Sequence, residues 1–151
     1  MGHCFGEIQD GKMVLNKYGL IAKRQIDWLE IQYPYLIIDN YIVMPNHVHI
    51  LCEINRVGAG RDQPLRDQPL RDHPVQTGRD LSVLIKIKSI SELMGAFKTT
   101  SSKHIHLLGC AEFAWQRSFY DHIVRSNEAY CRIDTYITNN PMNWKSDKFG
   151  G

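Results

Sequence analysis

The sequence predicts an α+β fold in which helices pack on an antiparallel sheet. Three observations carry this. Several stretches place apolar residues at helical spacing, shorter runs rich in β-branched and aromatic residues lie between them, and prolines and turn residues separate the two kinds. At 151 residues the chain is long enough for one domain with its own core. With 43% hydrophobic and 23% charged residues it has the composition of an ordinary globular protein, so a packed core is expected.

The elements follow in order. His3 to Leu15 contains short β-like pieces around Asp10-Gly11, a turn dipeptide. Asn16 is suited to cap a helix. Tyr18, Ile21, Ala22, Gln25, Trp28, Leu29 and Gln32 then keep helical spacing until Pro34 ends the run. Tyr35 to Val43 is rich in β-formers and reads as a strand. Asn46 to Ile54 reads as a second strand, with His47, His49, Leu51 and Glu53 on one face. The other face, Val48, Ile50, Cys52 and Ile54, is apolar and should meet helices. Ile87, Ile90, Ser91, Met94, Phe97 and Lys98 mark a second helix ending by about Leu108-Gly109. Phe113 to Val124 predicts a long strand. Ser126 caps a third helix carrying Ala129, Ile133, Tyr136, Ile137 and Asn140 on one face, which Pro141 should stop. A β-rich start, helix, two strands, helix, strand and helix is close to the ferredoxin-like plan.

Residues 56–80 differ in kind. Arg61-Asp62-Gln63-Pro64-Leu65 is followed by Arg66-Asp67-Gln68-Pro69-Leu70 and by Arg71-Asp72-His73-Pro74-Val75. A proline in each copy is incompatible with a regular helix or a central strand, and three copies are too short for a solenoid. The segment reads as a low-complexity loop inserted into a single domain spanning 1–151.

Net charge is +2, which permits nucleic-acid binding without demanding it. The charge is uneven. Between Ser82 and Arg125, six cations (Lys86, Lys88, Lys98, Lys103, Arg117 and Arg125) face three anions (Glu92, Glu112 and Asp121), a local excess larger than that of the whole chain. Cys4, Cys52, Cys110 and Cys131 form no CxxC pair and no disulfide frame, so reduced thiols in a cytoplasm are the expectation. There is no signal-peptide pattern, and no apolar run approaches the ~18 residues of a membrane span.

Chemistry centres on His47-Val48-His49. On an extended strand residues i and i+2 share a face, so the two imidazoles stand side by side, a geometry suited to a divalent ion. Two hydrogen-bonded strand histidines fit the bare pair equally well. His104-Ile105-His106 competes, but at a helix end i and i+2 point about 200° apart and cannot share an ion. Tyr136 and Asn140, at i and i+4, lie on one helix face and could present a nucleophile and an oxygen ligand to one ion. Taken alone, they fit core packing and helix termination as well.

Together these blocks resemble the HUH single-tyrosine transposases, most closely the REP-associated tyrosine transposases. The matching text is Val43-Met44-Pro45-Asn46-His47-Val48-His49, Gly95-Ala96-Phe97-Lys98, the run from Trp115 to Arg125, and Tyr136-Ile137-Thr138-Asn139-Asn140-Pro141. Trp144, Asp147-Lys148-Phe149, Phe5-Gly6-Glu7-Ile8 and Met13-Val14-Leu15-Asn16 also match. The resemblance covers nearly the whole chain except the repeat loop. It implies His47, His49 and Asn140 as ligands for Mg²⁺ or Mn²⁺ and Tyr136 as the nucleophile. Tyr120, on the predicted strand, has no helical i+4 ligand. Tyr130 has Asp134 at i+4, but the tyrosine block falls on Tyr136.

The implied substrate is single-stranded DNA beside a hairpin, cut through a covalent 5′-phosphotyrosine and rejoined, in transposition or in processing of repeated palindromes. Lys98, Lys103, Arg117 and Arg125 would track its phosphates. A decayed relative that binds hairpin DNA without cutting it, or an unrelated metal-dependent hydrolase, are the alternatives. Relatives carry a complete strand before the Phe-Gly-x-Ile segment, whereas only Met1 to Cys4 precede Phe5 here. The resemblance therefore implies a sheet without that first strand, and a monomer or a homodimer in which a second copy covers the gap.

Overall fold

A computed structural model describes residues 4–55 and 86–146. The repeat loop expected at 56–80 lies outside the described residues, as do Asp147, Lys148 and Phe149.

The first two elements form a hairpin, β1 (Gly6–Gln9) and β2 (Lys12–Leu15), paired antiparallel with Gln9 opposite Lys12. Asp10 and Gly11 close it with φ of 49° and 71°. That is the left-handed pair a two-residue hairpin turn needs, and the Asp-Gly dipeptide supplies it. α1 (Lys17–Gln32) follows at once. Asn16 caps it: its Oδ1 accepts from the amides of Tyr18 (2.9 Å) and Gly19 (3.0 Å), while its Nδ2 donates to the Cys4 carbonyl at 2.9 Å. A Cβ on Gly19 would collide with the Phe5 carbonyl, so only glycine lets α1 start this close to the preceding chain. Asn16→Ala removes three hydrogen bonds at this junction. It is expected to lower stability by about 1–2 kcal/mol, read as a reduced urea midpoint with unchanged slope.

β3 (Leu36–Val43) and β4 (Val48–Ile54) form a second antiparallel hairpin, with Ile42 opposite His49 and Val43 opposite Val48. The register shifts between Ile38 and Asn40, where Asp39 is the extra residue of a bulge. Adjacent side chains of β3 point to opposite layers. The Tyr41 hydroxyl donates to Asp27 of α1 (2.8 Å) and accepts from Lys23 (2.7 Å). Asn40 reaches the other way, to the helix described next but one.

α2 (Ile90–Leu107) begins with a reciprocal cap between Ser89 and Glu92, whose carboxyl those hydrogen bonds hold below its ordinary pKa. It packs on α1, and Leu93, Phe97 and Ile105 join Phe5, Ile26, Leu29, Leu36 and Val43 in the main core. Val48, Ile50, Cys52 and Ile54 pack half-buried against the same core, the face predicted for them. α3 (Asn127–Asn139), capped by Ser126, covers the other side of the β3–β4 hairpin. The chain does not stop at Pro141. It tightens into a 3-10 helix, Asn140–Ser146.

The described residues are thus α+β, with two small antiparallel sheets and three α-helices among them, compatible with the ferredoxin-like plan. One predicted element differs. Residues 113–124 join no ladder among the described residues. A strand exists only where another backbone runs beside it, and alternating aromatic residues cannot supply that neighbour. The segment is fixed at one end by side chains instead. Trp115 packs against Phe5, Phe97 and Phe113, and its indole donates to the buried Ser101 hydroxyl at 2.8 Å. Among the described residues no helix is long and apolar enough to cross a membrane.

Candidate functional site

The turn between β3 and β4 builds the site. Met44 N donates to the His47 carbonyl (2.8 Å), closing a loop whose central residues are Pro45 and Asn46. Phe5 N donates to the Pro45 carbonyl at 3.0 Å and anchors the turn from outside. Met44 and Pro45 are fully buried. His47 therefore leaves a fixed turn immediately before β4, and His49 is its second residue. Both rings point to the α3 layer, on the face shared with Asn40 and Ile42.

The two imidazoles meet through their Nε2 atoms at 3.0 Å, with ring planes 79° apart. Two nitrogens bound at right angles to one ion, at bond lengths of about 2.1 Å, stand about 3.0 Å apart. That is a hydrogen-bond distance between two ring nitrogens and also a spacing that adjacent ligands of a six-coordinate ion can take.

α3 brings up the remaining residues. The Tyr136 ring meets His49 edge to face, with centroids 5.4 Å apart, and Tyr136 is 46% exposed. Asn140 follows one turn later, 1% exposed, with its Oδ1 shut off from solvent. Four residues further on, the 3-10 helix lays the Trp144 indole over His47, with centroids 5.9 Å apart and planes within 28°. Asn140 is thus bracketed along its helix by two residues that each touch one of the histidines. His47, His49 and Tyr136 are in contact, and buried Asn140 lies one turn beyond Tyr136 at the end of α3. Among the described residues no group of three or more His, Cys, Asp and Glu side chains is placed to hold an ion.

Three residues with no role assigned from sequence contact this arrangement. Trp144 stacks on His47. Asn46 accepts from the same ring, its Oδ1 lying 2.7 Å from Nδ1. Asn40 docks the tyrosine helix: its Nδ2 donates to Asp134 Oδ1 (2.6 Å) and Thr138 Oγ1 (3.1 Å), one on either side of Tyr136. Proximity of Asn46 to His47 in sequence was a signal for the first contact. The other two arise from tertiary packing alone.

The competing tyrosines are placed elsewhere. Tyr120 is 96% exposed on the unpaired segment. Desolvation and the carboxylates of Asp39 and Asp134 push the Tyr130 phenol above its ordinary pKa, which opposes its use as a nucleophile. His104 and His106 occupy the last turn of α2, and His106 Nε2 contacts the Phe113 carbonyl at 2.7 Å.

The basic residues do not gather at the histidines. Lys98 and Lys103 line a groove of about 660 Å³ together with Thr99, Ser102, His106 and Trp115. That groove belongs to the α1/α2 layer, across the sheet from Tyr136. Lys98 donates to the carbonyls of Gln116 (2.8 Å) and Ser118 (3.3 Å) and lies 5.6 Å from the Phe119 ring centroid. Burial lowers its pKa. Lys98 therefore fastens the extended segment to α2, whatever else it contacts. Arg117 and Arg125 are exposed on that segment.

A Haemophilus influenzae protein described only as uncharacterized is 28% identical to this chain over 145 residues, covering 95% of this chain and 76% of the relative. No family model matches the chain. No solved structure matches it. The likeness to the Haemophilus protein extends along nearly the whole chain and carries no activity with it.

Proposed function

We propose that this chain is an HUH transposase-type enzyme that nicks and rejoins single-stranded DNA, using a divalent ion and a covalent 5′-phosphotyrosine. The observation that carries the reading is the meeting of His47 and His49 with Tyr136 of α3, a helix distant in sequence whose end carries the buried Asn140. The donor set fits Mg²⁺ or Mn²⁺. Two imidazoles and one amide are neutral ligands, and they leave the ion its full charge. When bound, such an ion polarises the scissile phosphate and stabilises charge developing on its oxygens.

The residues of the chain supply the rest. His47 and His49 fix one side of the site from the rigid turn, and α3 sets the Tyr136 phenol beside them and open to solvent. The Tyr136 oxygen attacks phosphorus, the Tyr O–P bond forms and the P–O3′ bond breaks. The phenolic proton passes to solvent and the departing 3′ oxygen takes one up, leaving a free 3′-OH. The reverse attack by a 3′-OH reseals DNA without ATP, since the phosphodiester energy is retained in the phosphotyrosine. Lys103, Arg117 and Arg125, with the remaining proton of Lys98, offer phosphate contacts on the α2 side.

The test is an SDS-resistant adduct between the purified protein and labelled single-stranded hairpin DNA taken from beside its own gene, with Mn²⁺ or with EDTA. An adduct in Mn²⁺ alone is expected. Folded protein that binds the hairpin but never forms an adduct would instead identify a DNA-binding module.

The Asn40 contacts yield a separate expectation. Asn40→Ala releases α3 from β3 at the turn bearing Tyr136 while leaving the histidines untouched. Adduct formation should slow roughly 10- to 100-fold, because small misplacements of a nucleophile are costly. Mn²⁺ affinity, measured by electron paramagnetic resonance, should stay within about twofold.

A further inference from the structure

We infer that Asn46 is a positioning residue that fixes the tautomer of His47 and so aims its Nε2 lone pair at the bound ion. The inference rests on the metal reading of the site and adds a residue to it. An amide oxygen has lone pairs and no hydrogen, so a contact of 2.7 Å between Asn46 Oδ1 and His47 Nδ1 requires the proton on Nδ1. A neutral imidazole with Nδ1 protonated carries its lone pair on Nε2, the atom facing His49 Nε2 at 3.0 Å. Without that restraint a neutral histidine distributes its proton between both nitrogens, and the Nε2–H form cannot ligate through Nε2.

Asn46 is well placed for the task because its own backbone is held. Pro45 precedes it, the Met44–His47 hydrogen bond closes the turn around it, and Phe5 N grips the Pro45 carbonyl. Trp144 stacks on the same ring and limits its rotation. Asn46 thus sets which nitrogen is bare, and Trp144 sets the plane in which it points. A ligand-orienting partner of this kind is a general feature of metal-bound histidines.

The test uses the whole chain in three forms: wild type, Asn46→Leu as a near-isosteric change, and Asn46→Asp, whose carboxylate accepts the same hydrogen bond. Long-range proton–nitrogen NMR on metal-free protein at pH 8 reports the His47 tautomer, and Mn²⁺ titration reports affinity. Circular dichroism checks that each variant is folded. The expected result is the Nδ1–H tautomer in wild type and Asn46→Asp, a shift toward Nε2–H in Asn46→Leu, and Mn²⁺ affinity about 10- to 100-fold weaker in Asn46→Leu alone. A wild-type Nε2–H tautomer, or an Asn46→Leu protein with unchanged tautomer and affinity, overturns the inference. Wild-type protein with the Nδ1–H tautomer that takes up no Mn²⁺ overturns the metal reading itself, and the role of Asn46 toward the ion falls with it.

Discussion

Tyr136→Phe protein is expected to form no SDS-resistant adduct with single-stranded DNA, a loss of at least about 10³-fold. The change removes one oxygen and keeps the ring. The edge-to-face contact with His49 survives, so the fold and Mn²⁺ binding should be unchanged. Tyr120→Phe and Tyr130→Phe should retain the adduct. Neither residue stands against the histidines, and Tyr130 is further disfavoured by the carboxylates around it. Gel quantification of the four proteins side by side decides between them. Survival of the adduct in Tyr136→Phe would move the nucleophile elsewhere.

The second large effect belongs to the histidines. His47→Ala and His49→Ala should each weaken Mn²⁺ binding by more than about 100-fold and abolish the adduct at millimolar metal. Removing one of two nitrogens at the proposed three-ligand site leaves too few donors to hold an ion against water. EDTA should reproduce both losses in the wild type, reversed by added Mn²⁺. His104→Ala serves as the control. His104 is exposed in the last turn of α2 and is not part of the Lys98–Lys103 groove, so adduct yield and Mn²⁺ affinity should match wild type. Isothermal titration and the gel assay together would show whether metal and activity are lost in parallel.

Much of this arrangement was legible in the chain because it follows from short-range rules. Asn16 and Ser126 begin helices where a capping side chain precedes an apolar stripe. Asp10-Gly11 closes a hairpin because both positions take positive φ. The i, i+2 and i, i+4 spacings place His47 beside His49 and Tyr136 one turn from Asn140. The remainder depends on neighbours remote in sequence. Residues 113–124 have strand composition but no ladder partner among the described residues. Pro141 marks the end of α3 without revealing that a 3-10 turn carries Trp144 back over His47. Asn40 has the spacing of any strand residue, and only packing of α3 on β3 shows that it bridges Asp134 and Thr138. The position of Lys98 illustrates the same limit. A basic residue in a basic stretch reads as a phosphate contact, yet two backbone carbonyls already hold it.

The measurement that tests the central claim most directly is peptide mapping of the protein after reaction with single-stranded hairpin DNA and nuclease trimming. Trypsin places the three competing tyrosines on different peptides: Tyr120 on residues 118–125, Tyr130 on 126–132 and Tyr136 on 133–145. A nucleotide attached through its 5′-phosphate to Tyr136 in the 133–145 peptide, and only in samples that contained Mn²⁺, is the predicted result. A nucleotide on either other peptide, a 3′-phosphate linkage, or an unmodified 133–145 peptide from folded, hairpin-bound, Mn²⁺-loaded protein would contradict it.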